Sequence, residues 1–239
     1  MINTIKDISG ISIIGSGNVG RRIGEHFLKV FNTIFYDINE NVIKELNKLG
    51  YVSTLDMNYA LKNSDISFIA VPTPLAENDL YNISFLENAS KTIGEGLNKI
   101  DDYHYHIFVI KSTVTPGITE NLIIPTIEKY SKKLIDIDFG VIYNPEFLTV
   151  IHDTWTHSDQ FCISPSREGR IVLGEGKDKR VGNIIQKFYE KMNPGIPILR
   201  TDYKTAEMAK LVANNRLTLA ISFSNEIFSI CEELKKYKI

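Results

Sequence analysis

Ile11-Ser12-Ile13-Ile14-Gly15-Ser16-Gly17-Asn18-Val19-Gly20 decides how this chain folds. The isoleucine-rich run reads as a buried strand, and the GxGxxG spacing behind it reads as a turn into a helix. Gly15 permits the tight turn, Gly17 lets the backbone approach a pyrophosphate, and Gly20 lets the helix pack on the strand. The helix then points the positive end of its dipole at an anion. By itself this spacing also fits a plain turn between strand and helix. A second strand, 33–37, decides between the two readings, because it ends in Asp37, 22 positions after Gly15. An acid at that distance holds the ribose hydroxyls of a dinucleotide. A carboxylate there repels a 2′-phosphate, and Ile38-Asn39-Glu40 offers no arginine to receive one. The expected ligand is therefore NAD rather than NADP, with Asn18 and Val19 completing the loop that meets it.

Working outward, short Ile/Val/Phe-rich runs at 66–71, 107–111 and 139–143 alternate with amphipathic stretches at 19–31, 41–49, 84–97 and 119–132. That alternation predicts βαβ units and an α/β, doubly wound Rossmann-type parallel sheet. The polar stretch 153–169 is expected to be irregular. A strand at 170–173, a helix at 178–191 and a short strand at 197–199 follow. From 202 to 238 there is neither proline nor glycine, which predicts one long helix. The expected division is a Rossmann domain over 1–200 and a long connecting helix over 201–239.

The 239 residues are 43% hydrophobic and 23% charged, an ordinary globular composition. A net charge of -2 gives no basic surface for nucleic acid or an anionic membrane, so small-molecule chemistry is the expected class. Cys162 and Cys231 form no CxxC pair and suggest neither zinc nor a disulfide framework. Cys231 is expected to be an ordinary helix residue packed against a neighbour. The N-terminal residues lack the pattern of a signal peptide, and no apolar stretch approaches a membrane span, so a cytoplasmic location is expected. His104 and His106 could form a His-x-His metal pair. Without a third ligand they read better as a solvated strand end, and no metal is expected. His152 and Asp153 near Trp155 follow no catalytic pattern, and Glu232 to Lys236 read as charge pairs on a solvated helix.

Two further segments fall at the carboxyl ends of expected strands, where open α/β sheets bind ligands. These are Val71-Pro72-Thr73-Pro74 and Lys111-Ser112-Thr113-Val114-Thr115-Pro116-Gly117. Pro, Thr and Gly also form plain loops, but both segments sit on the cofactor edge. That makes Val71, Pro72, Thr73, Ser112 and Thr113 candidate cofactor residues. Lys210 and Asn214 stand four apart on the long helix, hence on one face, where they could address a single oxygen. An ammonium beside a developing alkoxide stabilises charge, and an amide adds a hydrogen bond.

These motifs, together with Tyr143-Asn144-Pro145-Glu146-Phe147-Leu148, the run Ala206 to Asn215 and the run Ile221 to Glu226, stand in the order found in UDP-glucose/GDP-mannose dehydrogenases. The chain resembles the NAD domain and connecting helix of that family along nearly its whole length. The resemblance implies oxidation of a nucleotide-sugar 6-hydroxyl to the uronate, with NAD as acceptor. It implies that Thr113 helps hold a water and faces the nicotinamide, that Glu146 is the general base, and that Lys210 and Asn214 contact the substrate 6-oxygen. It further implies a homodimer through the long helix.

The family's catalytic cysteine lies in a glycine-rich segment beyond the long helix, and Cys231 does not match it. The resemblance therefore implies that the second oxidation needs another segment or a separate catalytic domain. Thr149-Val150-Ile151 stand where the family usually has Arg-Glu-Gly, Arg167-Glu168-Gly169 replace its Asn-Pro, and Asn18 replaces its usual aromatic residue. Two other readings remain open here. One is a single-step β-hydroxyacid-type dehydrogenase using Lys210 and Asn214. The other is a non-catalytic NAD-binding or assembly module.

Overall fold

The computed structural model describes residues 8–75, 81–100, 104–147 and 169–236. An eight-stranded sheet in the order β3-β2-β1-β4-β5-β6-β7-β8 organises them. Its strands are β1 (Ile11–Ile14), β2 (Thr33–Tyr36), β3 (Ser53–Thr54), β4 (Ile66–Ile69), β5 (His106–Ile110), β6 (Phe139–Tyr143), β7 (Ile171–Glu175) and β8 (Ile198–Asp202). The first six are parallel, β7 runs antiparallel to β6, and β8 is parallel to β7. The chain steps outward from β1 to β3 and then returns to β4 on the other side. That reversal opens a crevice at the carboxyl ends of β1 and β4, the usual ligand position in such sheets.

The helices are α1 (Asn18–Phe27), α2 (Glu40–Lys48), α3 (Met57–Lys62), α4 (Ser84–Leu97), α5 (Ile124–Ser131), α6 (Lys179–Met192) and α7 (Tyr203–Lys235). Alternate strand residues supply the two faces of the core. Ile11, Ile13, Phe35 and Phe68 meet Phe27 of α1 and Phe188 of α6 on one side. Ile14, Ile69, Phe108 and Ile110 meet Leu86, Ile93 and Ile127 on the other. Phe27 packs 4.6 Å from Phe68 and edge-on to Phe188 at 5.0 Å, centroid to centroid, within the favourable range for aromatic pairs.

The expected doubly wound α/β sheet and long helix are present, with several differences. β3 and α3 lie in the unassigned stretch between 49 and 66, because a two-residue strand and a six-residue helix are too short to show a period. The helix expected over 119–132 begins as a π-helical turn, Thr119–Ile123, ahead of α5. Pro125 has no N–H to give the carbonyl four residues back, and the chain widens there. β7 and β8 each run further than expected, to Glu175 and Asp202, because Arg200 pairs with the buried Glu175 at 2.7 Å.

His106 corrects the expectation of a solvated strand end: it is 1% exposed and shares a 2.7 Å hydrogen bond with Ser67 Oγ. Cys231 is exposed on α7 rather than packed against a neighbour. The pairs Glu232–Lys235 and Glu233–Lys236 form as expected. The stretch expected to be irregular, 153–169, lies outside the described residues except for Gly169, as do His152, Leu148 and the last expected turn of α7. Among the described residues no helix is long and apolar enough to cross a membrane.

Candidate functional site

A cleft of about 800 Å³ runs along the carboxyl edge of the sheet. Gly15, Gly17, Asn18, Val19, Asp37, Val71, Pro72, Thr73, Ser112, Thr113 and Glu146 all line it, so ten of the eleven expected cofactor residues and one further expected acid converge there. Gly20 does not line it. A Cβ at Gly20 would stand 2.0 Å from the Gly15 carbonyl oxygen, so its contribution is the close packing of α1 on β1.

The glycine turn is shaped by its neighbours. Gly15 has φ +89°, a left-handed conformation that a side chain would strain, and its backbone lies against Ala70 and Val71. At Gly17 a Cβ would meet nothing within 4 Å, so the backbone there faces open space. Gly17 also caps α1 without any side-chain acceptor, in contrast to Asn39 on α2, which accepts from Asn41. The first amides of α1 are thus left without a side-chain cap beside the cleft, an arrangement suited to an anion. Asp37 stands one residue past β2, accepting hydrogen bonds from the amides of Ser16 at 2.8 Å and Asn39 at 2.9 Å. These bonds fix its carboxylate beside the glycine turn. Burial, followed by the charges of Asp37 and Asp56, raises the Tyr36 phenol above its ordinary value, so this wall of the cleft is a neutral hydroxyl.

At the far end, two loops are laced together. Ser112 Oγ donates to the Val71 carbonyl at 2.6 Å, and Thr73 Oγ1 donates to the Thr113 carbonyl at 2.8 Å. The Lys111 ammonium donates to Asn144 Oδ1 at 3.0 Å, holding β5 to the segment that carries Glu146. Lys210, buried on α7, donates to the Glu146 carbonyl and stands 4.0 Å from its carboxylate. Lys210 therefore meets the cleft through Glu146 rather than lining it. Asn214, one turn further along α7, is half-buried and also does not line the cleft.

Residues the sequence reading did not single out complete the walls. Phe85, Asn88, Ala89 and Thr92 present one face of α4, opposite the buried Leu86, Ile93 and Leu97. Their spacing of three and four residues was a readable signal for a second helix face that meets something other than the core. Lys111 also lines the cleft. Among the described residues, no group of His, Cys, Asp or Glu is arranged to hold a metal ion.

The space at Gly17, the α1 amides without a side-chain cap and the Asp37 carboxylate fit the pyrophosphate and ribose of a dinucleotide. Comparison with known proteins agrees. Residues 48–193 match the UDP-glucose/GDP-mannose dehydrogenase family, NAD binding domain. The chain is 33% identical to a GDP-mannose 6-dehydrogenase of Pseudomonas syringae over 93% of its length and 49% of the relative's. It is 32% identical to a UDP-glucose 6-dehydrogenase of Bacillus subtilis over 94% of its length and 49% of the relative's. In three dimensions it is similar to the GDP-mannose dehydrogenase of Pseudomonas aeruginosa, at a TM-score of 0.80 and 29% identity, covering 91% of this chain and 52% of that one. The chain spans about half the length of the curated relatives it matches. It belongs to the UDP-glucose/GDP-mannose dehydrogenase family, and what it carries is that family's NAD-binding domain.

Proposed function

We propose that this chain is the cofactor half of a nucleotide-sugar 6-dehydrogenase, binding NAD along the carboxyl-edge cleft and presenting Lys210, Asn214, Glu146 and Thr113 to the sugar. The observation that carries the reading is that one cleft is lined by the glycine turn at one end and by Glu146, in contact with Lys210, at the other. The amides around Gly15, Gly17, Asn18, Val19 and Gly20 would take the pyrophosphate, and Asp37 the adenosine ribose. Val71, Pro72, Thr73, Ser112 and Thr113 would frame the nicotinamide. Bound NAD supplies the hydride acceptor.

The chain's own groups supply the rest. The Lys210 ammonium would stabilise the oxygen that loses its proton, because a cation in a water-poor site acts more strongly than one in solvent. Asn214 would add a hydrogen bond from the same helix face, Glu146 would accept a proton from water, and Thr113 would orient that water. Sugar recognition and the second oxidation would draw on residues beyond those matched here. The proposed division is a cofactor unit over 1–200 and a connecting helix over 201–239. Met208, Val212, Leu219, Phe223 and Phe228 are exposed apolar residues of α7. They support a homodimer through that helix in a cytoplasmic protein.

Calorimetric titration with NAD and NADP tests the cofactor, with NAD expected to bind and NADP to bind at least about tenfold more weakly. Mixing the chain with NAD and either UDP-glucose or GDP-mannose, with and without a separate catalytic domain, tests the chemistry. NADH formation that disappears in Lys210→Ala is the expected result. No NADH under any of these conditions counts against a catalytic role and leaves a binding module.

A further inference from the structure

Glu207 lies on the first turns of α7 and is fully buried, at 0% exposure. Its carboxylate accepts two backbone hydrogen bonds, from Gly117 at 2.5 Å and from Thr119 at 2.9 Å. A carboxylate taken out of water is costly unless its oxygens are satisfied, so a position this deep needs a return. Helix starts are ordinarily capped by a side chain a few residues away, as Asp178 and Asp202 do for α6 and α7. The turn at Thr119 has no such local cap, and its carboxylate comes from 88 positions further along the chain.

Two loops converge on the face of α7 that carries Glu207. Gly117 ends the segment bearing Ser112 and Thr113, whose other end is tied to Val71 and Thr73. Lys210, three positions on from Glu207, holds the Glu146 carbonyl. Positions three apart share a helix face, so α7 grips the Thr113 loop and the Glu146 loop one turn apart. Tyr143 agrees with this placement, since burial and then the nearby Glu207 charge push its phenol up.

We propose that Glu207 is a positioning residue: it locks the 112–117 loop to α7, so that Thr113 and Lys210 keep one fixed spacing across the nicotinamide end of the cleft. This rests on the cofactor reading of the cleft given above. In Glu207→Gln one acceptor is lost and an amide NH2 faces a backbone N–H, which loosens the loop without changing the side chain's size.

The experiment compares NADH with ADP-ribose, which lacks the nicotinamide, by calorimetry on the whole chain, and follows hydrogen exchange at the Gly117 and Thr119 amides. In Glu207→Gln, NADH affinity should fall about tenfold while ADP-ribose changes less than about twofold, and both amides should exchange faster. Val181→Ala, a core truncation away from the cleft, controls for lost stability and should move neither ligand. Parallel weakening of NADH and ADP-ribose, or no weakening of either, overturns the positioning role and leaves Glu207 a buried cap. If Glu207→Gln does not fold, Glu207→Asp keeps the charge with a shorter reach and should show the same split, smaller; its absence overturns the proposal. Wild-type chain that binds neither ligand removes the cofactor reading itself, and the proposal with it.

Discussion

The two edges of the sheet use similar residues to opposite ends. At the amino edge, Ser12, Ser64, Ser67 and His106 form a buried chain of hydrogen bonds, with Ser12 Oγ 2.6 Å from Ser67 Oγ and Ser64 Oγ 3.1 Å from Ser12 Oγ. Beside it, Asp65 accepts from the amide and hydroxyl of Ser9 and stands 3.2 Å from His104. The polar groups of this network are bonded to protein. At the carboxyl edge, the turn at Gly17 faces open space and α1 has no side-chain cap. Polar groups bonded to one another hold strands in register, whereas helix amides without a side-chain cap are what a ligand can use.

Acid should separate the two edges most strongly. Burial and then the neighbouring His104 hold His106 neutral, its pKa lowered to about 3. The unfolded chain binds that proton near pH 6.5, so stability present above 6.5 is lost as pH falls towards 3, by an amount of order 3–5 kcal/mol. Asp65 adds to this loss below about pH 4. Its burial alone would raise its pKa, but the hydrogen bonds from His104 and Ser9 outweigh that and bring it to about 2. Bonding to Asp65 raises His104, whose contribution is present below pH 6.5 and fades as pH rises through its folded value. Urea unfolding from pH 8 to pH 3 measures the sum, and a flat profile would contradict the buried network.

His106→Ala should cost roughly 2–4 kcal/mol in chemical unfolding, since it leaves a cavity and removes one of the two hydrogen bonds of the buried Ser67 hydroxyl, while NAD affinity stays unchanged. Asp37→Ala should do the reverse, weakening NAD about 10- to 100-fold by calorimetry with a smaller loss of stability than His106→Ala. Unchanged NAD affinity would remove Asp37 from its assigned place. Gly17→Ala sharpens the contrast, because its new Cβ meets no protein atom and enters only the space assigned to the pyrophosphate. Thermal melting should stay within about 2 °C of the parent, while NAD binding falls about tenfold. Lys44→Ala, which breaks an exposed pair with Glu40 at 3.1 Å, should change stability by no more than about 0.5 kcal/mol and leave binding alone.

The features read correctly from sequence share a physical cause: each is local. The strand ahead of Gly15, the acid after β2 and the long run without Pro or Gly are patterns that neighbouring residues enforce through turns and periodicity. The same locality explains the misses. His106 looks like a polar strand end until Ser67, 39 positions away, supplies its partner. Glu175 looks like the wrong residue to continue a strand until Arg200 meets it from β8.

The sequence by itself determined the Rossmann class, the NAD-binding family and the place of the glycine turn, because a glycine turn behind a strand and an acid at the end of the next strand are specified by short spacings. Only the tertiary structure decided that Gly20 packs rather than lines the cleft, that α4 supplies a wall, and that Lys210 reaches the cleft through Glu146. It also decided that Glu207 ties α7 to the loop of Thr113. Those are contacts between residues far apart in the chain, and no local pattern encodes a distance that only the closed sheet creates.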